Sequence, residues 1–207
     1  MRKFATVAVA LVLGSASAAA FADGNAFVNA DAGASNYQIS NPFTGYDNKF
    51  SKHDTAGALR VGYRWKSVVD YGVEVGYGFL GKASARGFDD GVGGERQTVK
   101  TRGWLLGGNL NYNITEQWYV SGRAGWFRAH SGYTDTFNAS SPAFASASHE
   151  LRAHSTDTGE YLGFGVGYNI NQAFSVGLAY DDYHIPANAF YKSTRIGMYT
   201  VQGEYRF

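Results

Sequence analysis

The chain of 207 residues contains no cysteine, so neither a disulfide framework nor a thiolate metal site can be built from it. Proline is scarce, at 3 residues. Beyond residue 22 there is no apolar run long enough for a membrane-spanning helix, which needs about 20 residues. An excess of charge is also lacking: 18 Lys and Arg stand against 17 Asp and Glu. No global charge therefore points to nucleic acid as a partner. If this chain crosses a membrane, it must do so as a closed barrel. In lipid only helices and closed barrels satisfy every backbone group.

Glycine and aromatics are what it has in plenty. Gly is 27 of 207 residues, well above the usual ~7%, and aromatics are 16%. The one continuous apolar run is N-terminal. Arg2 and Lys3 precede Phe4–Leu13, and Ala20-Phe21-Ala22 supplies small residues at the cleavage positions of a secretory signal peptide. The expected division is a signal peptide at 1–22 and one domain at 23–207. Removing Arg2 and Lys3 with that segment leaves 16 basic against 17 acidic residues.

From Val69 to Phe79 the chain reads V-D-Y-G-V-E-V-G-Y-G-F. Val69, Tyr71, Val73, Val75, Tyr77 and Phe79 fall on one parity, and Asp70, Gly72, Glu74, Gly76 and Gly78 on the other. A strand sends alternate side chains to opposite faces, so one face is apolar and the other small or acidic. The pattern recurs. Leu59, Val61, Tyr63 and Trp65 oppose Arg60, Gly62 and Arg64. Trp104, Leu106, Leu110 and Tyr112 oppose Gly103, Gly107, Asn109 and Asn111. Trp118, Val120, Ala124 and Trp126 oppose Tyr119, Ser121, Arg123 and Phe127. Similar rows run over Ala26–Ser35, Leu162–Tyr168, Phe174–Asp181 and Tyr199–Phe207.

Long polar segments separate some of these strands, at about Asn36–His53, Gly81–Gln97, Ala129–Ala153 and His184–Thr194. The other connections are short. Alternating long and short connections put every long loop at one end, as in a transmembrane barrel with short periplasmic turns. Soluble up-and-down barrels invert the sidedness, with apolar residues inside. The expected fold is all-β: an eight-stranded antiparallel up-and-down transmembrane barrel. Its lumen would be just wide enough for side chains, which favours a plug over a pore.

Three segments resemble the OmpA-like outer-membrane barrels of Gram-negative bacteria, with small barrels of the Ail and OmpX type as relatives. They are Ala56–Leu80, Gly103–Arg128 and Gly163–Tyr180, and the closing Tyr205-Arg206-Phe207 is similar to the terminal signature read by the barrel-assembly machinery. The resemblance implies outer-membrane lipid, lipopolysaccharide and that machinery as partners, and Tyr205 and Phe207 as assembly signal. It also implies a luminal ion-pair network in which Glu74 and Arg123 match family positions. Other family positions fall on Asn109, Gly167 and Gly177, so a depleted network is expected. Asp31, Arg60, Arg64, Glu74, Arg123 and Glu204 are the candidate ion-pair residues, since a low-dielectric lumen makes pairing nearly obligatory.

Lys100 and Arg102 lie on the outward parity near a loop end and are candidates for contact with lipopolysaccharide phosphates. Gly163-Phe-Gly165-Val-Gly167 reads as a lumen face rather than a phosphate loop, because its period is two and no helix follows. All five histidines fall in or beside the long loops, where solvated side chains are expected. His154, Ser155 and Glu160 suggest a lipid A deacylase only superficially, since adjacent strand residues point to opposite faces. The expected function is that of a non-enzymatic, monomeric outer-membrane barrel without cofactor. It would serve envelope integrity or surface interaction through four loops, with an Ail-type adhesin or a narrow diffusion channel as alternatives.

Overall fold

The computed structural model describes residues 24–39, 48–87, 93–139, 148–186 and 193–207. The expected signal peptide lies outside them. Nine antiparallel strands follow in order: β1 Gly24–Tyr37, β2 Asn48–Ser51, β3 His53–Trp65, β4 Asp70–Gly87, β5 Gly93–Asn113, β6 Trp118–Ala139, β7 His149–Asn169, β8 Phe174–Ile185 and β9 Thr194–Arg206. Eight of them close into a ring in the order β1, β3, β4, β5, β6, β7, β8, β9, with β9 returning to pair β1 from Phe27↔Arg206 to Tyr37↔Ile196. The short β2 lies outside the ring and pairs only β4. Closure removes the sheet edge, which in lipid would leave a row of backbone groups unsatisfied.

Side-chain alternation follows the sequence pattern. Val73, Leu106, Leu110, Trp126, Leu162, Phe164, Leu178 and Val201 all stand on the outside and are exposed. Asn29, Asp31, Arg60, Arg64, Glu74, Arg123, Gln202 and Glu204 are buried inside. No aqueous protein tolerates so continuous an apolar exterior, so the outer wall is a lipid surface. Three short turns join the strands at one end. They are held by side-chain caps: Ser67 N–H donates to Asp70 Oδ1 at 2.9 Å, Trp118 N–H to Thr115 Oγ1 at 2.9 Å and Phe174 N–H to Asn171 Oδ1 at 2.8 Å.

At the other end the strands are unequal. β4, β5, β6 and β7 have 18, 21, 22 and 21 residues, whereas β1, β3, β8 and β9 have 14, 13, 12 and 13. The longer strands rise beyond the ring as a wall, with β2 added along its β4 side. Much of what reads as loop over Gly81–Gln97 and Ala129–Ala153 is therefore paired strand. Within Asn36–His53, residues Asn48–Ser51 are β2.

The wall begins at a bulge. Phe79 faces Arg102 and Lys82 faces Lys100, so Leu80 and Gly81 together oppose Thr101. Gly81 takes φ +74°, the left-handed region that glycine enters without penalty. The backbone groups freed there find side-chain partners. Ser35 Oγ donates to Leu80 C=O at 2.7 Å, Tyr37 Oη donates to Gly81 C=O at 3.0 Å, and Lys82 N–H donates to Asp54 Oδ2 at 2.9 Å. The extra residue also flips the parity of β4. Below the bulge even-numbered residues point inward; above it Lys82, Ser84 and Arg86 point outward.

Candidate functional site: a sealed lumen and a cationic outer wall

The lumen has two halves. Nearest the short turns it is polar. Arg60, on β3, pairs with Asp31 on β1, reaches Asp181 on β8 at 3.1 Å and places Nε 3.5 Å from Glu74 on β4. Arg123, on β6, sits 2.9 Å from Asp181 Oδ1 and 3.5 Å from Asp31, and donates to Gln202 at 3.1 Å. Arg64 forms a two-pronged pair with Glu204 at 2.8 and 3.0 Å, donates to Asn109 at 2.8 Å and lies 4.5 Å from the centre of the Phe27 ring. Tyr161 Oη donates to Glu74 at 2.8 Å, and Asn109 donates to its other oxygen at 3.2 Å. Arg60 and Arg123 are thus surrounded by carboxylates from several strands, and Arg64 is paired with Glu204, the compensation that buried charge requires.

All six luminal candidates lie in this cluster. Asp181, Tyr161 and Tyr183 belong to it as well, although the sequence reading did not select them. Asp181 supplies a fourth carboxylate beside the three expected ones, Asp31, Glu74 and Glu204. The inward glycines make room for it. A side chain at Gly163 would overlap the Asp181 carboxylate and would crowd Arg123, whose Cγ lies 2.8 Å from where a Cβ would stand. Gly163 and Gly167 are buried on the inner face, so the glycine repeat lines the lumen.

Above the ion cluster the lumen is apolar. Leu80, Leu105, Phe127, Tyr183, Ile196 and Met198 are all 0% exposed and belong to one packed cluster. Phe127 meets Tyr183 edge-on, with ring centres 5.0 Å apart. The signal for this plug was present but weak, since Leu105 sits between Gly103 and Gly107 and reads as part of a small-residue row. The residual polar cavity beneath it, lined in part by Arg64, Glu74, Asn109 and Glu204, holds about 20 Å³, room for a water molecule and no more.

Outside, Lys100 and Arg102 are exposed on β5 just above Trp104, which packs edge-on against Tyr77 at 5.3 Å. Cross-strand neighbours add Lys82 opposite Lys100 and His130 opposite Arg102. Among the described residues no group of three or more His, Asp or Glu could hold a metal ion. His154 points outward, while Ser155 points inward and donates to Asp157 at 2.6 Å, so the two do not meet. Higher on the inner face of the wall, burial and neighbouring Asp135 push the Tyr133 phenol up to about 12, and its hydroxyl donates to Asp135 at 3.2 Å. Tyr205 and Phe207 stack edge-on at 4.9 Å on the outer face, and the Phe207 N–H donates to Ala26 C=O at 2.9 Å.

Residues 8–207 match the family model for the outer membrane protein β-barrel domain. The chain belongs to the outer-membrane β-barrel family. Its place is the bacterial outer membrane, and its eight-strand ring is a transmembrane barrel. Among solved structures, it is similar to Ail, the attachment invasion locus protein of Yersinia pestis, at 14% identity and a TM-score of 0.52, covering 89% of this chain and 99% of that one. Ail in complex with the heparin analogue sucrose octasulfate matches at 16% identity and 0.50, with 89% and 99% covered. The outer membrane protease OmpT from Escherichia coli matches at 9% and 0.51, with 90% and 97% covered. At such identities the likeness is one of fold, and it extends across an attachment invasion locus protein and a protease alike. No protein of curated function matches the chain.

Proposed function

We propose that this family member is a closed, non-enzymatic barrel that acts at the cell surface and not as a pore. It would be exported with residues 1–22 removed and assembled through the Tyr205–Phe207 end. The observation that carries this reading is the seal of Leu80, Leu105, Phe127, Tyr183, Ile196 and Met198 across the outer half of the lumen. A packed apolar plug above a cluster of ion-paired side chains offers an ion neither solvent nor a replacement for its hydration shell. The working surfaces are then outside: Lys100 and Arg102 toward lipopolysaccharide phosphates at the bilayer edge, and the raised wall toward the medium.

Planar-bilayer conductance tests the seal. The wild-type barrel gives no resolved single-channel steps, whereas joint replacement of Leu105 and Phe127 by alanine opens them. Steady conductance from the wild type would reject the reading. A second reading is a surface binder of sulfated or phosphorylated polymers. The exposed cations of the wall support it, as does the existence of the Ail complex with a heparin analogue. Binding of heparin to cells with and without residues 129–153 separates that role from a purely structural one.

A further inference from the structure

The bulge at Gly81 brings together three rungs of side chains on the outer face of β2, β4 and β5. The lowest is Lys82 opposite Lys100. The middle rung is hydroxylic, with Ser51 opposite Ser84 and Ser84 opposite Thr98. The highest is Lys49 opposite Arg86 and Arg86 opposite Arg96. Successive rungs are two residues apart, about 7 Å, and neighbouring strands about 4.8 Å apart. The five cations are all exposed. No described carboxylate pairs with any of them; the exposed ion pairs among the described residues are Arg152–Glu150 and Arg195–Asp182.

Like charges directly opposite each other on a sheet are destabilising. Here they are stacked on both sides of a row of hydroxyl donors. That arrangement costs the free protein stability and suits a ligand carrying several anionic groups 5–7 Å apart. Its height selects the source. Arg96 lies six residues beyond Arg102 on β5, roughly 20 Å along the strand and roughly 15 Å upward at a tilt of about 40°. The patch therefore begins at the membrane edge with Lys82 and Lys100 and ends well above it, continuous with the cations placed at the lipid phosphates.

We propose that Lys49, Arg86 and Arg96, with the Ser51–Ser84–Thr98 row beneath them, bind phosphates on the inner core sugars of outer-leaflet lipopolysaccharide. This rests on the reading that Lys100 and Arg102 meet the same molecule lower down, at its lipid-borne phosphates. Arginine holds phosphate through two parallel N–H donors, and serine and threonine hydroxyls complete the oxygens. Bound phosphate also cancels the repulsion between Lys49 and Arg86 and so fastens β2 to the wall.

The test uses the full barrel folded in detergent micelles. Its thermal unfolding is followed by heat-modifiable gel mobility against increasing lipopolysaccharide. One preparation carries core phosphates; the other has lost them but keeps those on the lipid. The wild type responds to the first at an at least about fivefold lower concentration. The double variant R86Q/R96Q responds to both preparations alike. Without lipopolysaccharide it unfolds at a higher temperature than wild type, which loss of a merely structural contact would not produce. K100Q/R102Q weakens the response to both preparations. An equal wild-type response to the two preparations overturns the core-phosphate site while leaving the Lys100 and Arg102 reading intact. A response to neither overturns both, and a response to heparin alone assigns the patch to a soluble polyanion and rejects the proposal. Mobility of the unheated samples shows that each variant is folded, and K49Q, on the outermost strand, repeats the measurement if the double variant is not.

Discussion

Arg60 Nη2 and Asp181 Oδ2 lie 3.1 Å apart, although β3 and β8 are not neighbours in the ring. The contact spans the lumen. Arg60 also faces Asp31 and Glu74, so one guanidinium joins carboxylates from three further strands. Such a cluster ties the barrel together across its width, which the backbone ladder alone cannot do.

Removing Arg60 leaves Asp31, Glu74 and Asp181 with Arg123 as the remaining cation near them. Breaking a buried pair in this way costs about 3–5 kcal/mol. Arg60→Gln is expected to lower stability by that amount in urea unfolding from lipid vesicles. Adding Asp181→Asn or Glu74→Gln recovers part of the loss, because an uncompensated charge is neutralised. Strict additivity of both double variants would show that these groups do not interact.

Val73 and Leu178 stand outward on β4 and β8, 53% and 60% exposed. Arginine at either site should cost about 2–4 kcal/mol near the bilayer midplane. At Gly177, one residue before Leu178 and facing inward, the penalty has another origin. A Cβ there would lie 2.6 Å from Val166 C=O and 3.0 Å from Gln202 Nε2. Gly177→Ala should then be destabilising in detergent and in lipid alike, whereas Val73→Arg should cost much less in a loosely packed micelle. Refolding into both media separates the two, and a lipid-independent effect at Val73 would reverse the assigned face.

The lipid wall was legible because its signal is local. Val69–Phe79 shows its period of two without help from any other strand. The wall above the membrane was not, for two physical reasons. Its faces are both wetted, so the alternation fades into Ser, Thr, Asp and Asn over Ser131–Ala139. At Gly81 the extra residue shifts the parity, and a shifted strand reads as a strand that has ended. Asp181 ends the alternating stretch Phe174–Asp181 on the parity opposite Leu178, the inward one, yet parity tells which side a residue faces and not which strand lies opposite. Its pairing with Arg60 and Arg123 depends on barrel closure, which no single segment encodes. A plug was expected from the narrow lumen, but its apolar make-up was not named, for a related reason: Leu105 and Phe127 belong to different strands and become a seal only when Tyr183 and Met198 meet them.

Gly81 is the hinge of this arrangement. A side chain there must enter the left-handed region, at about 1–2 kcal/mol for an L-residue. It would also stand 2.7 Å from Thr55 C=O. Gly81→Ala should therefore cost about 2–3 kcal/mol. Deleting Gly81 should do more than destabilise. With the bulge gone, Lys82 and Arg86 would turn toward the lumen, and β4 would have to break from β5 to avoid burying them. Protease resistance of the wall on intact cells measures this. Loss of resistance above the membrane, with the barrel still folded by gel mobility, is the expected result. An unaltered wall after deletion would show that the bulge does not set the parity.

The last prediction concerns Phe207. Its N–H closes the β1–β9 ladder on Ala26, and its ring packs edge-on against Tyr205 on the lipid side. Deleting it removes a single hydrogen bond at the short-turn end and one aromatic contact, a loss of about 1–3 kcal/mol for a barrel already formed. Refolding in detergent should therefore survive with a modest drop in yield. If the terminal Tyr-Arg-Phe is read by the assembly machinery, the same deletion should remove most folded protein from the outer membrane of cells. Conservative replacement by Trp should restore it, whereas Phe207→Asp should not. Heat-modifiable mobility of the membrane fraction, run beside the refolded protein, gives both readings on one gel. Equal and slight effects in the two samples would reduce Phe207 to one more interfacial aromatic.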